Sequence, residues 1–168
     1  MTTAVNPKLT VIAASHQDIS SVEMAWWRLL HDQQLHDFRG PHSSLQTQHN
    51  RDRVRRFLES RIRLGRVVIA RLKDELVGIS TFAPDGFILD GEIQVWEIAD
   101  VWVEPHARRQ GIGSAMVQFC EHECMMRGAS EVRLTVYEKN RVALDLYASM
   151  GYDSKSFTLS KQLSDETE

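Results

Sequence analysis

The chain has 168 residues, 42% of them hydrophobic and 26% charged, with a formal net charge of -3. That length and balance suit one globular domain burying roughly 70% of its unfolded surface, and they exclude a disordered chain. The small negative charge excludes a general attraction to nucleic acid or anionic membrane, and no apolar run approaches the length of a membrane span.

Lys8 to Ala14 is expected to form a first strand. Ser15, with Asp18 three residues on, resembles a capping box opening a helix. In that helix Ile19, Val22, Trp26, Leu29, Leu30 and Gln33 share one face by 3-4 spacing. Trp27 is adjacent to Trp26, so one face cannot bury both, and Trp27 is a candidate to line a site or a dimer contact. Asp37 to Gln48, rich in small polar residues around Gly40-Pro41, reads as a loop. A second helix is predicted from about Asn50 to Gly65, with Val54, Phe57, Leu58 and Ile62 inward. Its other face carries Arg51, Arg53, Arg55, Arg56, Arg61 and Arg63, which reads as a solvated face.

From Arg66 the period changes to that of strands: Arg66 to Leu72 and Leu76 to Phe82 form a predicted hairpin. Pro84-Asp85-Gly86 turns the chain, and a long strand follows from about Ile93 to Val103. Gly111 to Arg127 is helical, with Ile112, Met116, Phe119, Cys120 and Cys124 on one face. Glu131 to Tyr137 alternates as a strand, Asn140 caps a helix reaching about Met150, and a last strand or strand pair is expected around Tyr152 to Leu163. The predicted order is β-α-α-β-β-β-α-β-α-β, an α/β domain of mixed sheet. Residues 1–168 are expected to form a single domain with frayed ends at 1–7 and 164–168, and Met1 to Pro7 lacks a signal pattern.

The chemistry-bearing unit is strand, short loop, helix. Ile98 to Val103 leads into Glu104 to Gln110, and Gly111-Ile112-Gly113-Ser114 opens the helix. A helix start offers unpaired N–H groups and partial positive charge to a phosphate, and glycines let backbone approach it closely. Arg108 and Arg109 add charge, and Ser114 adds a hydroxyl. A P-loop would need Lys-Ser/Thr after the last glycine, but Ser114-Ala115 follows Gly113; a dinucleotide fingerprint would need a third glycine where Met116 stands.

The sequence resembles the GNAT superfamily of N-acetyltransferases. The loop Arg108-Arg109-Gln110-Gly111-Ile112-Gly113 matches that family's Arg/Gln-x-x-Gly-x-Gly/Ala pattern. Asp100 to Pro105 resembles the family's strand ending, and Asn140-x-x-Ala143-x-x-Leu146-Tyr147-x-x-x-Gly151-Tyr152 resembles its downstream signature. The resemblance implies a mixed, mostly antiparallel central sheet flanked by helices, and acetyl-CoA as co-substrate with no metal. It implies that Val101 and Val103, with Trp102 between them, hydrogen-bond the pantetheine arm. Loop N–H groups from Arg109 through Gln110, Gly111, Ile112 and Gly113 to Ser114 would hold the pyrophosphate, with Arg108 in the same motif. Asn140 matches a position contacting the cofactor, beside its plain reading as an N-cap.

Tyr147 matches the tyrosine that protonates the departing thiolate. A phenol can donate that proton without resting ionised at pH 7. The amine must lose its own proton, and Glu97 lies where many family members place a glutamate; Asp100 and Glu92 are the alternatives. Asp100 would point to the opposite face in a regular strand, and a bulge there would alter that parity. The oxyanion would be held by a backbone N–H near Val103 or Val101.

The implied reaction is transfer of an acetyl group to a primary amine by direct attack in a ternary complex. The alternative is a non-catalytic acyl-CoA-binding sensor or interaction module on the same fold. The resemblance also implies an acceptor pocket built by the first two helices, their connection and the strand centre, here roughly Trp26 to Ser44 with Glu92 to Asp100. The acids Asp85, Asp90, Glu92, Glu97 and Asp100 would favour a cationic amine such as a polyamine or aminoglycoside, small molecule or peptide. A homodimer is an expectation of the resemblance alone. Neither cysteine is a credible acyl carrier: Cys120 and Cys124, four apart in an apolar-periodic helix, read as buried thiols in a reducing cytoplasm. His31, His36, His42, His49 and His122 lack ligand spacing and read as scattered histidines, so no metal is expected.

Overall fold

A computed structural model describes residues 9–34, 47–85 and 94–156. Five strands lie in chain order across one sheet: β1 (Leu9–Ala13), β2 (Val67–Leu72), β3 (Glu75–Pro84), β4 (Val95–Val103) and β5 (Glu131–Leu134). The first four pair antiparallel, while β4 and β5 pair parallel. A parallel join needs a crossover, and α3 (Ile112–Met126) supplies it. Helices α1 (Ile19–Gln34) and α2 (Gln48–Arg63) precede β2, and α4 (Arg141–Ser149) follows β5. The result is the mixed, mostly antiparallel α/β sheet expected from the sequence.

The sheet is buried on both faces, so β2 reads as an unbroken apolar run. Val68 and Ala70 of β2, with Phe82, Trp96 and Ile98, pack under Ile112, Met116, Val117 and Cys120 of α3. Val67 and Ile69, with Ile79 and Trp102, pack under Val22, Ala25 and Leu29 of α1 and Leu58 and Ile62 of α2. This is the period-two alternation of a strand. At Gly78 a Cβ would lie 2.9 Å from Met116 Cε and 3.0 Å from the Trp102 carbonyl oxygen, so glycine is what lets α3 settle onto the sheet.

The capping box forms: the Ser15 backbone N–H and its hydroxyl both donate to Asp18 Oδ2 at 2.7 Å. Several boundaries differ from expectation for local reasons. Helix α2 starts at Gln48, because Thr47 accepts the Asn50 N–H at 3.2 Å and so caps it. Phe57 is not inward but 39% exposed; its ring lies beside Trp26 and under the Arg61 guanidinium. Arg61 also donates to the Phe82 carbonyl at 3.2 Å, and so leaves the solvated arginine face. Strand β3 continues through Pro84, at its last position, where a proline costs no ladder bond. Strand β5 ends at Leu134 instead of Tyr137, and residues 152–156 form no strand. The remainder of the expected last strand, and most of the Asp37 to Gln48 loop, lie outside the described residues.

Candidate active site

The site is organised by a change of character halfway along β4. Val95 to Ile98 pairs with β3 on one side and with Glu131 to Leu134 of β5 on the other. From Ala99 to Val103 the β5 side has no strand partner among the described residues. The pairing with β3 also shifts here: Thr81 faces Ala99, but Ile79 faces Trp102. One residue of β3 therefore opposes two of β4, a bulge at Asp100, whose φ is 55°. The bulge reverses the parity. Trp96 and Ile98 face α3, whereas Trp102 faces α1 and α2, and Val101 and Val103 turn toward α3.

The backbone polarity of the open half follows. The Glu104 N–H donates to Val77 on β3 at 2.8 Å, and the Trp102 carbonyl also lies toward β3, beside Gly78. By strand alternation the N–H and C=O groups of Val101 and Val103 face the unpaired edge. The Val103 carbonyl is already engaged by Arg108 Nε at 2.9 Å.

Beyond β4, a short 3-10 turn (Pro105–Ala107) leads to the exposed Arg108, Arg109 and Gln110. Arg109 and Gly111 both have positive φ, 64° and 79°. Gly111 stands at the N-cap of α3, and the first intrahelical bond runs from Ala115 N–H to Gly111 C=O at 3.0 Å. The N–H groups of Ile112, Gly113 and Ser114 are thus those a helix start leaves without intrahelical partners. Gly113 has a packing reason as well: a Cβ there would press on Leu146 of α4 at 3.3 Å. Arg108 has a protein partner of its own. Its guanidinium is paired with Asp32 of α1. The same Asp32 Oδ2 accepts the Trp102 indole N–H at 2.9 Å, so that side chain is turned toward α1 and away from the open edge.

On the α3 side, α4 brings Tyr147 against the core and against Tyr152, whose ring centroid is 6.0 Å away. Burial pushes the Tyr147 phenol up to about 12, so it is neutral at physiological pH. The Tyr152 phenol is also raised, first by burial and then by its 2.7 Å hydrogen bond to Glu121. Asn140 is the N-cap of α4, its side chain accepting the Ala143 N–H at 3.2 Å, so the plain reading of this residue holds.

Two carboxylates face the α1 and α2 side. Glu97 alternates with inward Trp96 and Ile98 and accepts the Thr135 hydroxyl at 3.0 Å. Asp100 accepts the hydroxyl of buried Thr81 at 2.6 Å, so the bulge brings it to the same face as Glu97, where a regular strand would oppose them. Asp85 pairs with Arg133 at 3.2 Å, while Asp90 and Glu92 lie outside the described residues. Burial pushes the Cys120 thiol up to about 12 and Cys124 to about 11, which makes both poor nucleophiles. Among the described residues no group of three or more His, Cys, Asp and Glu could hold a metal, and no helix is long and apolar enough to cross a membrane.

A cavity of about 310 Å³ lies where α1 meets the end of β4, lined by Trp27, Arg28, His31, Asp32, Trp102, Glu104 and Pro105. Sequence reasoning singled out Trp27 but missed Asp32, Thr81 and Thr135. No motif marks them, because each acts through a partner far away in the chain.

Residues 26–152 match the family model described as the acetyltransferase (GNAT) family. A thialysine N-epsilon-acetyltransferase from Bos taurus is 37% identical over 54 residues, and this stretch covers 32% of each chain. The chain therefore matches about a third of that relative's length. Among solved structures, a predicted acetyltransferase with acetyl-CoA from Clostridium acetobutylicum superposes with a TM-score of 0.71 at 18% identity, covering 95% of this chain and 99% of that one. An aminoglycoside acetyltransferase from an uncultured soil metagenomic sample, in complex with sisomicin, gives 0.67 at 18% identity, covering 94% and 97%.

Proposed function

The chain belongs to the acetyltransferase (GNAT) family, and we propose from that premise that it moves an acetyl group from acetyl-CoA to a primary amine by direct attack. The observation that carries this reading is the half-open strand. Val101 and Val103 turn backbone polar groups to an edge that has no strand partner among the described residues and leads into the N-terminus of α3. An extended pantetheine arm would add to that edge as a strand does, through the Val101 N–H and C=O and the Val103 N–H. The pyrophosphate would rest on the N–H groups from Arg109 through Gln110 and Gly111 to Ser114. Asn140, near the start of α4, would contact the arm beside its capping role.

The thioester then lies where β4 and β5 part, between Tyr147 on one side of the sheet and Glu97 and Asp100 on the other. Glu97 takes the proton of the bound ammonium, directly or through a water. The amine lone pair attacks the thioester carbonyl carbon, and an N–H of the open strand stabilises the oxyanion. As the C–S bond breaks, the Tyr147 hydroxyl gives its proton to the thiolate, and the surplus proton on the new amide nitrogen leaves to solvent, from which Tyr147 is reprotonated. Its raised pKa keeps it protonated beforehand, at the cost of a weaker driving force for that transfer. Asp100, on the same face as Glu97, supplies negative charge that suits a cationic acceptor. Acceptors of that kind are named for the thialysine and aminoglycoside relatives. The setting we propose is the cytoplasm, where both buried cysteines stay as thiols.

Calorimetric titration with acetyl-CoA, followed by thiol-release assays on polyamines, aminoglycosides, amino acids and peptides, tests the reading. Binding with turnover on a cationic amine is expected. Binding without turnover on any amine favours the idle acyl-CoA-binding module, and absence of binding removes both.

A further inference from the structure

Helix α1 is fastened to the open half of β4 through one carboxylate. Asp32 Oδ2 accepts the Trp102 indole N–H at 2.9 Å and pairs with the Arg108 guanidinium. Arg108 in turn holds the Val103 carbonyl through Nε at 2.9 Å. A second pair, Arg28 with Glu104, joins the same helix to the residue after the strand. Asp32 thus grips the chain on both sides of the turn that leads from strand to loop.

The loop needs such a grip. Arg109, next to Arg108, has a φ of 64° without being glycine, a conformation that persists only where its surroundings over-determine it. The first turn of α3 fixes the loop from one side, and the Arg108 contacts fix it from the other. Without them, the N–H array has to be ordered each time a ligand binds.

We propose that Asp32 is a positioning residue for the loop that takes the pyrophosphate, acting through Arg108 and Trp102 from the helix opposite. The proposal rests on the acetyl-CoA reading above. One effect opposes it: freeing Arg108 would release a cation near a diphosphate. Both side chains are partly exposed, 45% for Arg108 and 31% for Asp32, so solvent and salt weaken that gain. The ordering cost is not screened, and it wins.

The test is calorimetric titration with acetyl-CoA of the wild-type chain, Asp32→Asn, Asp32→Glu, Arg108→Gln and the Asp32→Asn/Arg108→Gln double variant, with thermal midpoints alongside. Asp32→Asn keeps an acceptor for Trp102 but loses the charge that holds Arg108. Its Kd is expected to rise about tenfold, by the cost of ordering a loop on binding. Asp32→Glu should recover most of that loss, and the double variant should bind no more weakly than the worse single variant. A Kd for Asp32→Asn within about twofold of wild type, or single losses that add in full in the double variant, would overturn the proposal. If Asp32→Asn does not fold, Arg108→Gln carries the same expected loss, and an unchanged Kd there overturns it. Failure of the wild-type chain to bind would sink the acetyl-CoA reading and this inference with it. Wild-type binding alongside an unaltered Asp32→Asn would sink the positioning role alone.

Discussion

The two halves of β4 use the same kind of residue to opposite ends. From Val95 to Ile98 the strand is paired on both sides, and Trp96 and Ile98 are buried under α3. From Ala99 to Val103 one side has no strand partner among the described residues, the bulge at Asp100 has turned the chain over, and Trp102 is buried under α1 instead. The closed half carries stability. The open half is still laddered to β3, but on its β5 side no strand among the described residues takes up the Val101 N–H and C=O or the Val103 N–H. One out-of-register residue is enough to change which face of the sheet each later side chain of the strand meets.

Changes in the closed half should cost most. Trp96→Ala removes a ring packed on Phe82 and covered by Arg66 and Arg127, and should destabilise the fold by about 3–5 kcal/mol in a denaturant titration. A loss under about 1 kcal/mol would mean that this half is not the scaffold. At the boundary between the halves, Tyr147→Phe should lower kcat roughly 10²- to 10³-fold, as loss of an acid does, with acetyl-CoA binding nearly unchanged. Full activity in that variant would remove Tyr147 from the mechanism.

Glu97→Gln should lower kcat about 10²-fold in thiol-release assays, with acetyl-CoA binding nearly unchanged. Asp100→Asn, which keeps an acceptor for Thr81 and tolerates the positive φ, should change folding by less than about 0.5 kcal/mol while weakening a cationic acceptor. If Asp100→Asn instead abolishes turnover and Glu97→Gln does not, the two carboxylates exchange roles.

The smallest effect at ordinary pH concerns the core beneath both halves. Cys120, Cys124, Tyr147 and Tyr152 all have pKa values raised by burial. Each is neutral in the fold at a pH where the unfolded chain would ionise, so the unfolded state binds fewer protons and stability falls as pH rises. The thermal midpoint should therefore be flat near neutrality and decline from about pH 9, where unfolded thiols begin to titrate. Cys120→Ala should blunt the first part of that decline.

How much of this was readable beforehand depended on whether the signal was local. The loop Arg108 to Gly113, the α3 start at Gly111 and the Asn140 cap depend on neighbours within a few residues, and the sequence spelled them out. The element order from β1 to α4 and the faces of α1 and α3 followed from periodicity. The parity of β4 did not, because a bulge is set by its partner strand, and strand alternation alone left Glu97 and Asp100 on opposite faces. The role of Arg108 was hidden for a similar reason. Its charge suggested a phosphate ligand, and nothing local signals that Asp32, 76 positions away, pairs with it. Phe57 was misplaced because a helix edge can cover an aromatic with an arginine instead of a core.

We propose above that the donor lies along the open half of β4 and on the start of α3. Backbone amide resonances followed during titration with acetyl-CoA test it most directly. The largest shifts are expected at Val101, Val103, Gly111, Ile112 and Gly113, with smaller ones at Asn140 and Tyr147 and little change from Val95 to Ile98. Shifts confined to other surfaces, or saturating acetyl-CoA that moves none of these amides, would contradict it.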